Sequence, residues 1–146
     1  MSFALDANVL LYASDSASPH HERATEFLER CAKGPEIVCL TWSVVMAYLR
    51  ISTHTAIFTE PLSPEIARSN VESLLEVPHV RVLSEREGFW EAYRRATGGM
   101  SVRGNLVADA QIAAILFQHG VRVLYSSDTD FRRFDFLEVR NPLQKM

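Results

Sequence analysis

The sequence predicts an α/β domain built on a parallel sheet, and three observations carry that reading. Short apolar runs at residues 3–5, 36–40, 79–83 and 121–125 are separated by segments in which apolar residues recur at helical spacing. Strands joined through helices need crossover connections, and such connections make the strands parallel. The first run ends on Asp6 and the last on Ser126, Ser127 and Asp128. Acidic side chains therefore fall at the carboxyl ends of strands, the edge at which open α/β sheets bind ligands.

With 146 residues and 47% apolar composition, the chain fits a single domain over residues 1–146 with one core. The 23% charged content, without low-complexity tracts, is that of an ordinary folded protein. The N-terminus lacks a basic region followed by a long apolar core, and no run approaches the roughly 18 apolar residues of a membrane span. A soluble, cytoplasmic protein without membrane attachment is expected. Cys31 and Cys39 lie eight apart with no paired Cys/His pattern, which favours buried free thiols over a zinc site. The net charge of −3 argues at first against a nucleic-acid partner. Thirteen of the fifteen basic residues are Arg, however, the side chain shaped for bidentate phosphate contact. If four of the eighteen acidic residues were gathered on cations, the remainder would carry +1.

Taken in order, residues 2–13 (SFALDANVLLYA) read as strand, Asp6, Asn8 and helix. Ser18 and Pro19 form a helix start. Ala24, Phe27, Leu28 and Cys31 follow at helical spacing, and Gly34 with Pro35 ends the run. His20 and His21 in its first turn point about 100° apart and cannot chelate one ion. Residues 36–40 (EIVCL) are a short buried strand. Thr41 caps the next helix, where Trp42, Val45, Met46 and Leu49 form the expected apolar stripe with Arg50 just beyond it. Residues 53–64 lack periodicity and predict an exposed loop. Ser63, Pro64 and Glu65 open a helix carrying Ile66, Asn70, Leu74 and Leu75, which Pro78 closes, and residues 79–83 (HVRVL) alternate as a strand. Ser84 and Glu87 have capping-box spacing for a helix over 85–97. Its Phe89, Trp90 and Tyr93 fit core or dimer interface better than a base-stacking platform. Gly98 and Gly99 break the chain before a helix over 105–119.

That last helix contains the most informative residue. Leu106, Ala110, Ala113 and Phe117 define its apolar stripe, and Asp109 projects from the same side. A charged Asp beside buried surface costs several kcal/mol, on the order of the penalty for an unpaired buried ion, unless something compensates. If the strands are parallel, Asp6 and Asp128, with Asp130 near, leave the sheet at one edge and join Asp109 in one crevice. Like charges a few ångströms apart repel by roughly 1 to 4 kcal/mol per pair, so such a cluster calls for a cation. Oxygen donors without Cys or His favour Mg²⁺, or Mn²⁺, over zinc. Hard divalent ions held by Asp serve metal-assisted phosphodiester hydrolysis. An aspartyl-phosphate phosphatase, suggested by the Asp128/Asp130 pair, would want two Asp after the first strand, where Asp6 and Asn8 stand.

LDANVLLYA at residues 5–13, RGNLVADAQIAAI at 103–115 and SSDTDF at 126–131, in this order and spacing, resemble a PIN-domain ribonuclease of the VapC toxin type. That is the toxic half of a bacterial toxin–antitoxin pair. WSVVMAYLRIST and EPLSPEIA are weaker matches between them, so the resemblance covers nearly the whole chain. It implies a three-layer α/β/α PIN-like domain with a mostly parallel central sheet, and Mg²⁺-dependent cleavage of structured RNA such as transfer or ribosomal RNA. It also implies a homodimer and a VapB-type antitoxin whose C-terminal segment enters the acidic crevice. Carried over, Asp6, Asp109 and Asp128 match the metal-binding and catalytic acidic positions, with Asp130 as a neighbouring ligand and Asn8 and Ser127 in support. Arg50 and Arg103 are expected phosphate contacts. One departure stands out. The family usually places a Glu in the helix after the second strand, where this chain has Ala47. A water or Glu60 in the following loop would have to fill that place, or metal binding would be weaker. The alternative reading is a weakened PIN module that binds RNA or antitoxin without efficient cleavage.

Overall fold

The structure, a computed structural model, describes residues 1–144. The chain runs β1 (Ser2–Leu5), α1 (Ala7–Ser14), α2 (His21–Lys33), β2 (Ile37–Thr41), α3 (Trp42–Ser52), α4 (Pro64–Leu75), β3 (Val80–Leu83), α5 (Phe89–Thr97), α6 (Leu106–Gln118) and β4 (Val123–Tyr125). A 3₁₀ helix (Thr129–Arg133) and β5 (Glu138–Arg140) complete it. The five strands lie in the order β3-β2-β1-β4-β5, and every neighbouring pair is parallel. Helices cover both faces of the sheet, giving three α/β/α layers.

The topology explains where a site can form. From β1 the chain builds outward through β2 to β3, then returns across the sheet to place β4 on the other side of β1. Connections leave β1 and β4 in opposite directions and open a crevice at their carboxyl ends, the switch point of an open α/β sheet. β1 is the central strand, and Phe3, Ala4 and Leu5 are all buried, as expected where helices cover both sheet faces. The core continues through Val38, Cys39 and Leu40 of β2, Leu124 of β4, and Phe131 and Phe134 beneath the 3₁₀ helix.

Several elements match their sequence signals. Thr41 ends β2 and caps α3, accepting from the Val44 N–H at 3.2 Å. Ser63 caps α4 ahead of Pro64. The thiols of Cys31 and Cys39 are free. His21 Nδ1 lies 3.2 Å from the Tyr12 carbonyl oxygen and the His20 ring packs edge-on against Tyr12, so both histidines have packing roles. Other expectations need correction. α2 starts at His21, not Ser18, because the Ser18 hydroxyl is spent on the His20 N–H inside a preceding turn. The Ser84/Glu87 capping box does not form. The Ser84 carbonyl oxygen is engaged by His119, and α5 begins only after Gly88, whose φ of +80° suits glycine. The buried face of α3 is Val44, Val45, Tyr48 and Ser52, while Trp42 and Met46 are 47% and 52% exposed. α3 is apolar around most of its circumference, so spacing alone could not select its inner side. Trp90 stands 68% exposed, stacked on Tyr93, and is not a core residue. β5 carried too few apolar residues in Glu138–Arg140 to be seen as a strand. Among the described residues no helix is long and apolar enough to cross a membrane.

Phe131 is fully buried between the 3₁₀ helix and the core. Phe131→Ala should cost about 3 to 5 kcal/mol of stability, read as a lower urea midpoint. The same variant should loosen the segment that carries Asp128 and Asp130.

Candidate metal centre at the sheet switch point

Asp6 is the first residue beyond β1 and serves two neighbours at once. Its Oδ1 accepts from the Ala7 N–H at 2.7 Å, capping α1. Its Oδ2 accepts from the Ser126 hydroxyl at 2.6 Å and from Asn8 Nδ2 at 3.2 Å. Strand pairing sets this up, since Leu5 pairs with Tyr125 and the Asp6 N–H donates to the Tyr125 carbonyl oxygen at 3.0 Å. Asp6 and Ser126 thus leave adjacent strands at the same level. Burial pushes the Asp6 carboxyl above its ordinary range, opposed by the Ser126 and Ala7 hydrogen bonds and reinforced by the nearby Asp128 charge.

Asp128 opens the 3₁₀ helix by accepting the Asp130 N–H on Oδ1 at 2.9 Å. Asp128 thus caps this helix and also stands at the crevice. Oxygen atoms of Asp109, Asp128 and Asp130 lie within 4.8 Å of one another. The Asp109 carboxyl is raised to about 6, first by burial and then by the charges of Asp128, Asp6 and Asp130. Four carboxylates from β1, α6 and the segment after β4 therefore share one field. Asp6 stands behind the trio, spending its oxygens mainly on protein donors.

This donor set suits a hard divalent cation. It is all oxygen, no Cys or His enters it, and a cation would offset both the burial of the Asp109 carboxylate and its repulsion by Asp128, Asp6 and Asp130. Asp109, Asp128 and Asp130 would supply the most accessible oxygens, with Asp6 adjoining.

Ser126 escaped the sequence reading, which assigned the supporting role to Ser127. The buried Ser126 hydroxyl donates to Asp6 and accepts from Asn8 Nδ2 at 3.1 Å and from the Asp128 N–H at 3.0 Å. Ser127 takes part through its main chain, donating to Asn8 Oδ1 at 3.3 Å. The signal available in the sequence was position, because Ser126 follows β4 directly as Asp6 follows β1. Arg103 lies just before α6, bonded to Ser101 at 3.1 Å, whereas Arg50 sits at the end of α3 remote from the strand edge where that helix begins. Ala47 is partly buried against the core and brings no oxygen to the site. Glu60 is exposed and outside the acidic group among the described residues. A separate cavity of about 420 Å³ between α1, α2 and α4, lined by Leu10, Leu28, Tyr48 and Val71, contains none of these carboxylates.

Comparison with known proteins gives the family. The family model for the PIN domain matches residues 3–137. The chain is 42% identical over 142 residues to Ribonuclease VapC48 of Mycobacterium tuberculosis, covering 97% of this chain and 98% of that protein. This chain is a VapC-type PIN domain. Among solved structures, the PIN fold here superposes on Mycobacterium tuberculosis VapC20, described as a sarcin-ricin loop cleaving toxin. The TM-score is 0.66 at 19% identity, over 94% of this chain and 98% of that one. The Rickettsia felis VapBC2 structure, bound to a DNA fragment from its promoter, gives a TM-score of 0.67 at 18% identity, covering 97% and 98%. At these identities both show the shared fold.

The raised Asp109 has a stability consequence whose sign is definite. The folded state holds this proton from the unfolded value of 3.8 up to about 6, so the group's stabilisation is complete below about 3.8 and is lost as pH rises through about 6. In EDTA, Asp109→Asn should flatten that loss and raise stability at neutral pH by about 1 kcal/mol, after discounting for solvent screening, as measured by urea unfolding on both sides of this window. Ser126→Ala should act oppositely, costing about 1 to 3 kcal/mol by leaving Asp6 short of a donor. It should also raise the Asp6 pKa further, observable by carboxyl NMR titration.

Proposed function

We propose that this PIN domain is a Mg²⁺-dependent endoribonuclease, with Mn²⁺ as a substitute ion. Its role would be the toxin of a bacterial toxin–antitoxin pair that cleaves structured RNA such as transfer or ribosomal RNA. The observation that carries the reading is the convergence of Asp109, Asp128 and Asp130 oxygens within 4.8 Å at the switch point, with Asp6 adjoining. Support also comes from ribonuclease-named relatives such as VapC48 and from fold neighbours that include a VapBC complex.

A divalent ion in such a site supplies a more acidic water and neutralises charge on the leaving oxygen. The protein's own residues do the positioning. Asp109, Asp128 and Asp130 would hold the ion, and Asp6 is oriented toward them by Ser126 and Asn8. Because Asn8 also accepts from the Ser127 N–H and donates to Ser126, it locks the ends of β1 and β4 together and limits how far the carboxylates can spread. Arg103 is assigned a phosphate contact near the start of α6. The partners are a VapB-type antitoxin that blocks the acidic crevice with its C-terminal segment, and a second copy of the chain.

Ala47 favours one competing reading, a weakened module that binds RNA or antitoxin without efficient cleavage, since α3 provides no carboxylate there. Against it stands Asp130, which adds a third carboxylate oxygen to those of Asp109 and Asp128.

Purified protein in Mg²⁺ should nick structured RNA, EDTA should stop it, and Asp6→Asn or Asp109→Asn should slow cleavage by at least about 100-fold, a loss of several kcal/mol. Undiminished cleavage by the repurified Asp6→Asn protein would remove this mechanism. RNA binding with no metal-dependent nicking at all would establish the weakened module. Sequencing of RNA ends after brief expression of wild type beside Asp109→Asn identifies the target.

A further inference from the structure

A basic cleft lies at the far end of the 3₁₀ helix that carries Asp130. Between the end of α5, the end of α6 and the segment following the 3₁₀ helix is a concavity of about 400 Å³, walled by Arg95, Thr97, Gly98, Gly99, Arg133 and Asp135, among others. Arg95 and Arg133 have neither a hydrogen-bond nor an ion-pair partner among the described residues, although Asp135 faces the same space. The Arg95 guanidinium lies over the Phe117 ring at 5.9 Å, which holds it at the cleft wall rather than in bulk solvent. The Thr97 hydroxyl is already spent on the Tyr93 carbonyl oxygen at 2.8 Å. Gly98 and Gly99 have no atom within 4 Å of where a side chain would begin, so the rim stays open to a bulky ligand. A preference of basic residues for helix ends explains each Arg singly. It does not explain why two ends bring them to one cleft without a carboxylate partner.

The 3₁₀ helix links this cleft to the carboxylates. Residues three apart eclipse in a 3₁₀ helix and are separated by roughly 6 Å along its axis. Asp130 and Arg133 stand in that relation within Thr129–Arg133, so an acidic ligand position and a free guanidinium share one face, a single turn apart.

We propose that the Arg95/Arg133 cleft binds a backbone phosphate of the RNA that flanks the scissile one, holding the strand in line with the carboxylates. This deepens the ribonuclease reading and rests on it for the identity of the ligand. The acidic centre repels an RNA strand, and a neighbouring cationic pocket supplies the attraction that the centre lacks. The two side chains are exposed, so their replacement leaves the core intact.

The test is fluorescence anisotropy of a labelled single-stranded RNA oligonucleotide in EDTA, where cleavage does not intervene. It compares wild type, Arg95→Gln, Arg133→Gln, the double variant and a control, Arg68→Gln on the exposed face of α4, each checked for an unchanged melting temperature. The double variant should bind at least about 10-fold more weakly. Its log–log salt slope should be shallower by about 1.4, the value for two lost contacts on a single strand, and Arg68→Gln should match wild type. In Mg²⁺ the double variant should raise KM far more than it lowers kcat. Failure of the wild type to bind, equal affinities for wild type and double variant, or an equal loss in Arg68→Gln would overturn the proposal. So would variants that keep RNA affinity but lose an acidic protein partner. The two readings fail separately: loss of RNA binding in the double variant with no cleavage by wild type leaves the cleft and removes the nuclease. Unaltered binding with brisk wild-type cleavage does the reverse.

Discussion

Leu5 pairs with Tyr125, and one residue further on Asp6 meets Ser126. The chemistry of this domain depends on that juxtaposition. An anionic side chain close to the core is tolerable only when its oxygens are occupied. Three donors provide this for Asp6: the Ala7 amide, the Ser126 hydroxyl and the Asn8 amide group. The same Ser126 hydroxyl receives the Asp128 amide, so the turn that presents Asp128 and Asp130 is registered against Asp6 by one oxygen atom. Among the described residues Asp109 has no comparable set of protein donors, and its carboxyl is raised first by burial and then by the charges of Asp128, Asp6 and Asp130.

Charge is organised on a second level around this centre. The net charge of −3 conceals a separation. Carboxylates gather at the carboxyl edge of β1 and β4, while Arg95 and Arg133, without an ion-pair partner among the described residues, stand in a cleft that opens beside the 3₁₀ helix. Overall charge is therefore a poor guide to the local potential at either place. The exposed Trp42, Met46 and Trp90 are a third surface feature, apolar where the hydropathy pattern placed core.

Much of the fold was legible because its causes are local. Thr41 and Ser63 cap the helices they precede, Pro64 enters at a first turn, and apolar runs too short for helices became strands. Errors arose where two local signals competed or where the signal was tertiary. Ser84 with Glu87 has capping-box spacing, yet Gly88 reaches a left-handed backbone that only glycine adopts easily, and the helix begins there. β5 is recognisable only by its partner, because Glu138–Arg140 is polar and gains strand character from pairing with β4. In α6 the residues Ile112 to Leu116 are all buried, so periodicity was a weak guide to which side faced the sheet.

At the site, the sequence alone determined which residues have the right chemistry and which strand ends they follow. Asp6, Asp109, Asp128 and Asp130 were identifiable as hard oxygen donors, and Ala47 as a missing one, because side-chain type and motif order are properties of the chain itself. Only the tertiary structure decided that Asp109, Asp128 and Asp130 form the close group while Asp6 is held behind them, and that Ser126 rather than the Ser127 side chain joins the two strands. The reason is that β1 and β4 are more than a hundred residues apart in sequence. Which oxygen meets which donor is set by sheet register, and register is a property of the pair of strands that neither strand contains.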